Sequence, residues 1–140
     1  MSFQVPIGVV DILVEDEAEA VRVAKQYLSY FQGSIDTWEA PDQRKLLHIV
    51  PENRQRLYDM REIISTVADR DSVLEIRAGF GVGVITCFIR VEGRPMGVIA
   101  NNPHHLAGAI DSDGADKGAR FLKLCDAFDI PILSLMDCPG

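Results

Sequence analysis

The sequence predicts a mixed α/β fold, and three segments carry that expectation. Residues 84–91 are rich in β-branched and aromatic side chains, Glu92-Gly93 supply a turn, and residues 95–100 return as a second strand. Residues 115–128 then place Ala119, Phe121, Leu122, Leu124, Cys125 and Phe128 in a broad apolar arc at helical spacing, which predicts a helix buried on more than one side. Residues 131–136 follow as an unbroken apolar run, the pattern of a strand inside a sheet covered on both faces.

The remaining elements follow in chain order. Residues 7–13 are β-rich, with Val9, Val10, Ile12 and Leu13 around Asp11. Asp16 is placed to cap a first helix, with Glu19 three residues on in a capping-box-like arrangement. Ala20, Ala24, Tyr27, Leu28 and Phe31 form its expected buried stripe, and Gly33 its stop. From residue 32 to 55 the periodicity dissolves around one apolar patch at 46–50, so this stretch reads as a connector between two units. Asp59 and Glu62 open a second helix with Met60, Ile63, Ile64 and Val67 on one face. A turn at 69–71 and an extended stretch at 72–76 lead into the hairpin. Asn101-Asn102-Pro103 end its second strand, and a loop runs to about Asp113. The second half is therefore β-β-β-α-β. Asp137-Cys138-Pro139-Gly140 begin a loop after the last strand, the position where open α/β sheets hold their ligands.

Composition narrows the function classes. The 140 residues are 47% hydrophobic and 25% charged, with 14 Lys plus Arg against 21 Asp plus Glu, which suits a compact globular domain. A net charge of −7 argues against a nucleic-acid-binding face and against attraction to an anionic membrane. No apolar run reaches the roughly 20 residues of a spanning helix, and Met1-Ser2-Phe3-Gln4 predicts no signal peptide. Three scattered cysteines do not make a disulfide framework. The expectation is a soluble protein of a reducing compartment: the cytoplasm, or the mitochondrial matrix in a eukaryote.

No side-chain constellation amounts to a catalytic set. Gly79-Phe80-Gly81-Val82-Gly83 precedes a strand rather than a helix and lacks the Lys-Ser/Thr of a phosphate loop, so these glycines read as a bend. His48, His104 and His105 with the cysteines have no metal-ligand spacing, so no metal site is expected, and the paired histidines read as an exposed loop. Cys138 alone lies on a candidate site loop, with no basic residue near it in sequence. The acidic run at 111–116 lacks the closing Glu of a calcium loop and reads as the cap of the third helix, through Asp111 or Asp113.

Several blocks from about Val50 to Gly140 do resemble a known family. They are Pro51-Glu52-Asn53, Tyr58-Asp59-Met60-Arg61-Glu62-Ile63-Ile64, and Arg90-Val91-Glu92-Gly93-Arg94-Pro95-Met96-Gly97-Val98-Ile99-Ala100-Asn101-Asn102-Pro103. Lys117-Gly118-Ala119-Arg120-Phe121, Cys125-Asp126-Ala127-Phe128-Asp129-Ile130-Pro131 and Asp137-Cys138-Pro139-Gly140 follow in order. Together they resemble the carboxyl-terminal domain of biotin-dependent carboxyltransferases, the β subunits of acetyl-CoA and propionyl-CoA carboxylases. The first helix, with Tyr27-Leu28-Ser29-Tyr30, is similar to the end of that family's amino-terminal domain. The resemblance implies three segments: 1–33 closing the amino-terminal domain, 34–56 connecting, and 57–140 opening the carboxyl-terminal domain.

It also implies a crotonase-like fold of repeated β-β-α units and carboxyl transfer from carboxybiotin, on a carrier protein, to the α-carbon of an acyl-CoA. Such chemistry uses backbone N–H groups to stabilise two oxyanions rather than a side-chain nucleophile. By the family pattern those donors lie beyond Gly140. The expectation is therefore a piece of a longer subunit, inactive alone and binding no cofactor itself. The parent would form homo-oligomers and work with biotin carboxylase and biotin carrier subunits. Within the chain, Asn101, Asn102, Pro139 and Gly140 are the candidate binding residues, open equally to a reading as ordinary turns. Cys138 departs from the small aliphatic residue or threonine common at its position. A non-catalytic assembly or binding module on a borrowed half-domain is the alternative, and self-association through exposed edges is expected of either.

Overall fold

The computed structural model describes residues 4–53 and 56–138. Its elements in order are α1 (Glu17–Ser29), a 3-10 turn (Gln43–Lys45), α2 (Leu46–Ile49), α3 (Met60–Val67), β1 (Leu74–Ile76), β2 (Val84–Val91), β3 (Arg94–Asn101), a 3-10 turn (Leu106–Gly108), α4 (Ser112–Ala127) and β4 (Ile132–Leu135). The strands form one sheet in the order β1-β2-β3-β4, antiparallel except for the parallel pair β3–β4. The fold class expected from the sequence is the one observed.

The hairpin follows from its turn chemistry. Val91 pairs with Arg94, and Glu92 and Gly93 both hold positive φ, 51° and 77°, the twist that matches two strands joined by two residues. The Asp69 carboxylate accepts hydrogen bonds from the N–H groups of Glu92 (3.0 Å) and Gly93 (2.7 Å). Residue 93 must be glycine for a second reason: a Cβ there would lie 2.2 Å from the Ile35 carbonyl oxygen.

Two apolar layers sandwich the sheet. On one face, α3 inserts Met60 and Ile64 against Ile85, Cys87, Ile89, Val98 and Ala100. Asp59 caps this helix through the Arg61 N–H (2.9 Å). On the other face, α4 and the end of α1 surround Phe88, which is fully buried. The rings of Tyr27, Tyr30, Phe31 and Phe121 lie 5.8, 5.3, 5.4 and 5.1 Å from that of Phe88. Asp16 caps α1 as expected, accepting from the Glu19 N–H at 2.8 Å, while the Glu19 carboxylate accepts from the Glu15 N–H.

Arg90 joins the layers. Buried at the end of β2, its guanidinium donates to the carbonyls of Ser29 (2.8 Å), Gly33 (3.0 Å) and Gly93 (2.7 Å), and it stacks on the Tyr30 ring. The first two carbonyls belong to the last turn of α1 and the bend after it, where the helix dipole favours a cation. Residues 34–40 then return to the sheet: the Ile35 N–H donates to Gly93 and the Arg70 N–H to Glu39.

Five expectations need correction. The inward face of α1 carries Tyr27 and Phe31 as expected, but joined by Val23 and Tyr30, while Ala20, Ala24 and Leu28 face outward, because the large aromatic rings close around Phe88. Residues 7–13 form no strand: a turn at Val5–Gly8 diverts the chain, and one main-chain bond from the Arg77 N–H to Asp11 (2.7 Å) takes the place of a ladder. The patch at 46–50 is a single helical turn. Helix α4 starts at Ser112, ahead of the expected Ala115, because Asp111 caps it, and it buries one side only, leaving Leu122 and Phe128 exposed. Finally, β4 lies at the edge of the described sheet and is half-buried, not covered on both faces.

Candidate active site at the ends of two parallel strands

Strands β3 and β4 run side by side in one direction, so their carboxyl ends open on the same side of the sheet. In α/β sheets that is where ligands are held. Asn101 closes β3 and is fully buried. Its side chain does not face the opening. The amide Nδ2 donates to the carbonyls of Asp137 (2.8 Å) and Gly108 (3.3 Å), and Oδ1 accepts from the Asp137 N–H (2.8 Å). The side-chain amide thus extends the β3–β4 ladder by one rung past its last pair, Ala100 and Leu135.

Asn102 is also turned inward. Its Nδ2 donates to Val82 (2.9 Å), its Oδ1 accepts from the His104 N–H (3.1 Å), and its own N–H donates to Gly83 (2.9 Å). The two asparagines therefore lie together and shape the loop that follows β3. Pro139 and Gly140, the other two candidates, lie outside the described residues.

That loop holds strained backbone. Leu106 and Ala107 have φ of 47° and 55°, and Gly108 follows at 91°. Left-handed geometry costs a residue with a side chain roughly 1–2 kcal/mol. The loop is anchored at its far side by His105, half-buried rather than exposed as expected, whose Nε2 lies 2.9 Å from the Asp111 carboxylate. The Gly114 N–H and then His105 hold the Asp111 carboxyl below its ordinary value.

Two residues that the candidate list omitted complete the crevice. The Tyr58 hydroxyl, just before α3, donates to the Asp137 carboxylate at 2.7 Å. Partial burial, then the bond to that carboxylate and its negative charge, push the Tyr58 phenol up to about 12. It is therefore a permanent donor at any biological pH. A cleft of about 440 Å³ lies on one side of this pair, lined by Val50, Pro51, Arg56, Tyr58 and Asp137. A second, of about 200 Å³, adds Leu57, Pro103, Ala107 and Cys138 to Arg56, Tyr58 and Asp137. Sequence spacing could not reveal the pairing, since 79 residues separate its members.

The crevice sets apolar Val50, Pro51, Leu57 and Pro103 beside the charged Arg56 and the Tyr58–Asp137 pair. Cys87 and Cys125 are buried elsewhere, and burial pushes their thiols up to about 12 and about 11, which leaves both unreactive. Another cleft, of about 510 Å³, lies along α3 over Val73, Glu75, Ile85 and Cys87, is bordered by the Arg61–Glu75 pair (2.7 Å), and includes neither Tyr58 nor Asp137.

Comparison with known proteins places this geometry. Residues 4–140 match the family described as the carboxyl transferase domain. An uncharacterized carboxylase of Bacillus subtilis, YngE, is 41% identical over 142 residues, which cover 95% of this chain and 28% of that protein. A solved single-chain, multi-domain long-chain acyl-CoA carboxylase superposes with a TM-score of 0.93 at 49% identity, over 99% of this chain and 15% of its own. The transcarboxylase 12S structure, a hexamer with hydrolyzed methylmalonyl-CoA bound, superposes at 0.86 with 32% identity, over 98% of this chain and 29% of its own. The chain thus spans under a third of the length of each of these relatives. Its fold is that of the carboxyltransferases, crotonase-like, with its strand-end crevice lying within the matched region. On this evidence of sequence and shape together, the chain belongs to the carboxyl transferase domain family.

Proposed function

We propose that these residues work as part of a biotin-dependent carboxyltransferase acting on an acyl-CoA. In the reaction a carboxyl group leaves the nitrogen of carboxybiotin and bonds to the α-carbon of the thioester, whose proton passes to that nitrogen. The observation that carries the reading is the crevice beyond the ends of β3 and β4, which lies within the family match. Carboxyl transfer through enolates needs hydrogen-bond donors aimed at developing oxyanions, and such a site requires no side-chain nucleophile. Apolar Val50, Pro51, Leu57 and Pro103 wall the two clefts beside Tyr58, Arg56 and Asp137. In this reading Asn101 and Asn102 shape the crevice.

The segments follow the same reading: 1–33 ends one carboxyltransferase domain, 34–56 connects, and 57–140 opens the next. A homo-oligomer is the expected assembly, as the related 12S protein is a hexamer, with biotin carboxylase and biotin carrier subunits as further partners. The expected compartment is the cytoplasm, or the mitochondrial matrix in a eukaryote. The test is an assay of the complete protein that carries these residues. Supplied with a carboxybiotin donor and an acyl-CoA series, it forms the carboxylated thioester, whereas the 140 residues alone do not. A complete protein that binds a protein partner but carboxylates no acyl-CoA would favour an assembly module instead.

A further inference from the structure

Asp137 is held at each of its polar groups. Its N–H and carbonyl are bonded to the Asn101 side chain, both at 2.8 Å, and its carboxylate accepts from Tyr58 at 2.7 Å. The Asn101 bonds act along the sheet and continue the strand pairing. The Tyr58 bond arrives from a different element and resists rotation of the residue about the strand axis. Its far end is firm: Tyr58 lies two positions before Met60, which is 3% exposed in the α3 core, and Asp59 between them caps that helix. Tyr58 and Asp137 also line both clefts, so their bond is a wall between them.

We propose that Tyr58 is a positioning residue for the carboxyl transfer described above, holding Asp137 so that the backbone leaving β4 keeps a single direction into the crevice. The inference rests on that functional reading. The phenol stays protonated and its hydroxyl is already engaged, so Tyr58 acts through Asp137 and transfers no proton itself. A displacement of about 1 Å at a reacting site costs up to about a hundredfold in rate, so one lost tether is expected to show in turnover.

The test is a double-mutant cycle in the complete protein, with Tyr58→Phe, Asp137→Ala and the pair. Each single variant is expected to lower kcat about tenfold with KM nearly unchanged. The pair should lose no more than either single, because both remove one interaction. Wild-type kcat in Tyr58→Phe, or losses that multiply in the pair, overturn the inference while leaving the functional reading in place. Should the wild-type protein carboxylate nothing, the functional reading fails, and with it a role in turnover. The tether itself is then judged in the complete protein by hydrogen exchange at the Asp137 and Cys138 amides. Loss of one hydrogen bond, about 1 kcal/mol, speeds exchange about fivefold in Tyr58→Phe, and unchanged exchange overturns the tether as well.

Discussion

Two buried cations set the stability of this chain at the scale of single residues, and they do so in opposite ways. Arg90 is only 5% exposed, yet three carbonyls satisfy it. Replacing it with alanine strands the buried Gly93 oxygen and frees the half-buried Ser29 and exposed Gly33 carbonyls, and we expect a loss on the order of 2 kcal/mol in denaturant unfolding. Arg90→Lys should recover little, because one ammonium cannot span carbonyls that a planar fork reaches together. Lys117 is the reverse case: 1% exposed on α4, its Nζ has no hydrogen-bond partner among the described residues. Burial pushes its ammonium down to about 8 from an ordinary 10.5, with Glu75 opposing the shift. Below about pH 8 both folded and unfolded forms are charged, and the folded one bears the desolvation. Between 8 and 10.5 the unfolded chain binds more protons, so the fold gains stability as pH rises. Lys117→Met should therefore be more stable than the parent below pH 8, by about 3 kcal/mol, with the advantage fading to nothing near pH 10.5. Cys125 is raised by burial alone and cancels in the difference, whereas Cys87, which the Lys117 charge helps to hold down, moves a little further up in the variant. A flat difference curve in melts across this range would show that the lysine is solvated.

At the scale of elements, the hairpin β2–β3 is the scaffold on which everything else is laid. Its turn is clamped by Asp69 on one side and by Ile35 on the other, so the conformational demand and the close approach fall on one glycine. Gly93→Ala should cost more than the roughly 1 kcal/mol of left-handed strain alone, because Ile35 must also withdraw. Nuclear magnetic resonance should show the Ile35 and Glu92 amides shifting while those of α3 stay in place. The hairpin was legible in the sequence because a β-branched and aromatic run and Glu-Gly turn chemistry are local. The caps at Asp16, Asp59 and Asp111 were legible for the same reason. The orientation of α1 was not, since Ala20, Ala24 and Leu28 share one spacing and Val23, Tyr27 and Tyr30 another. Only Phe88, far along the chain, decides between them. The edge position of β4 was likewise hidden, because an apolar run records hydrophobicity and not the number of neighbours. At the candidate site, Asn101 and Asn102 were singled out from their place at a strand end, but their inward aim and the Tyr58–Asp137 bond depend on contacts between distant residues.

The molecule as a whole exposes more surface than its mass requires. Its 8943 Å² compares with roughly 7,200 Å² for a compact monomer of 15.5 kDa. Ile7, Val9, Leu13, Val21 and Leu28, each more than half exposed, account for part of the excess. Strand β4 has neighbours on one side only among the described residues. Apolar faces and an open strand edge of this kind drive association, so the 140-residue chain should sediment as species that grow with concentration. A sharp monomer throughout a concentration series would count against it. The Arg90 clamp has one more consequence, which concerns synthesis. The carbonyl of Ser29 and the guanidinium that satisfies it are 61 residues apart. At ribosomal speeds of about 5–20 residues per second, α1 leaves the tunnel roughly 3–12 s before its partner is made. During that interval the helix has neither its C-terminal cation nor the Phe88 ring to close upon, and a nascent chain stalled before Arg90 should present α1 to chaperones and proteases as an open, fraying segment.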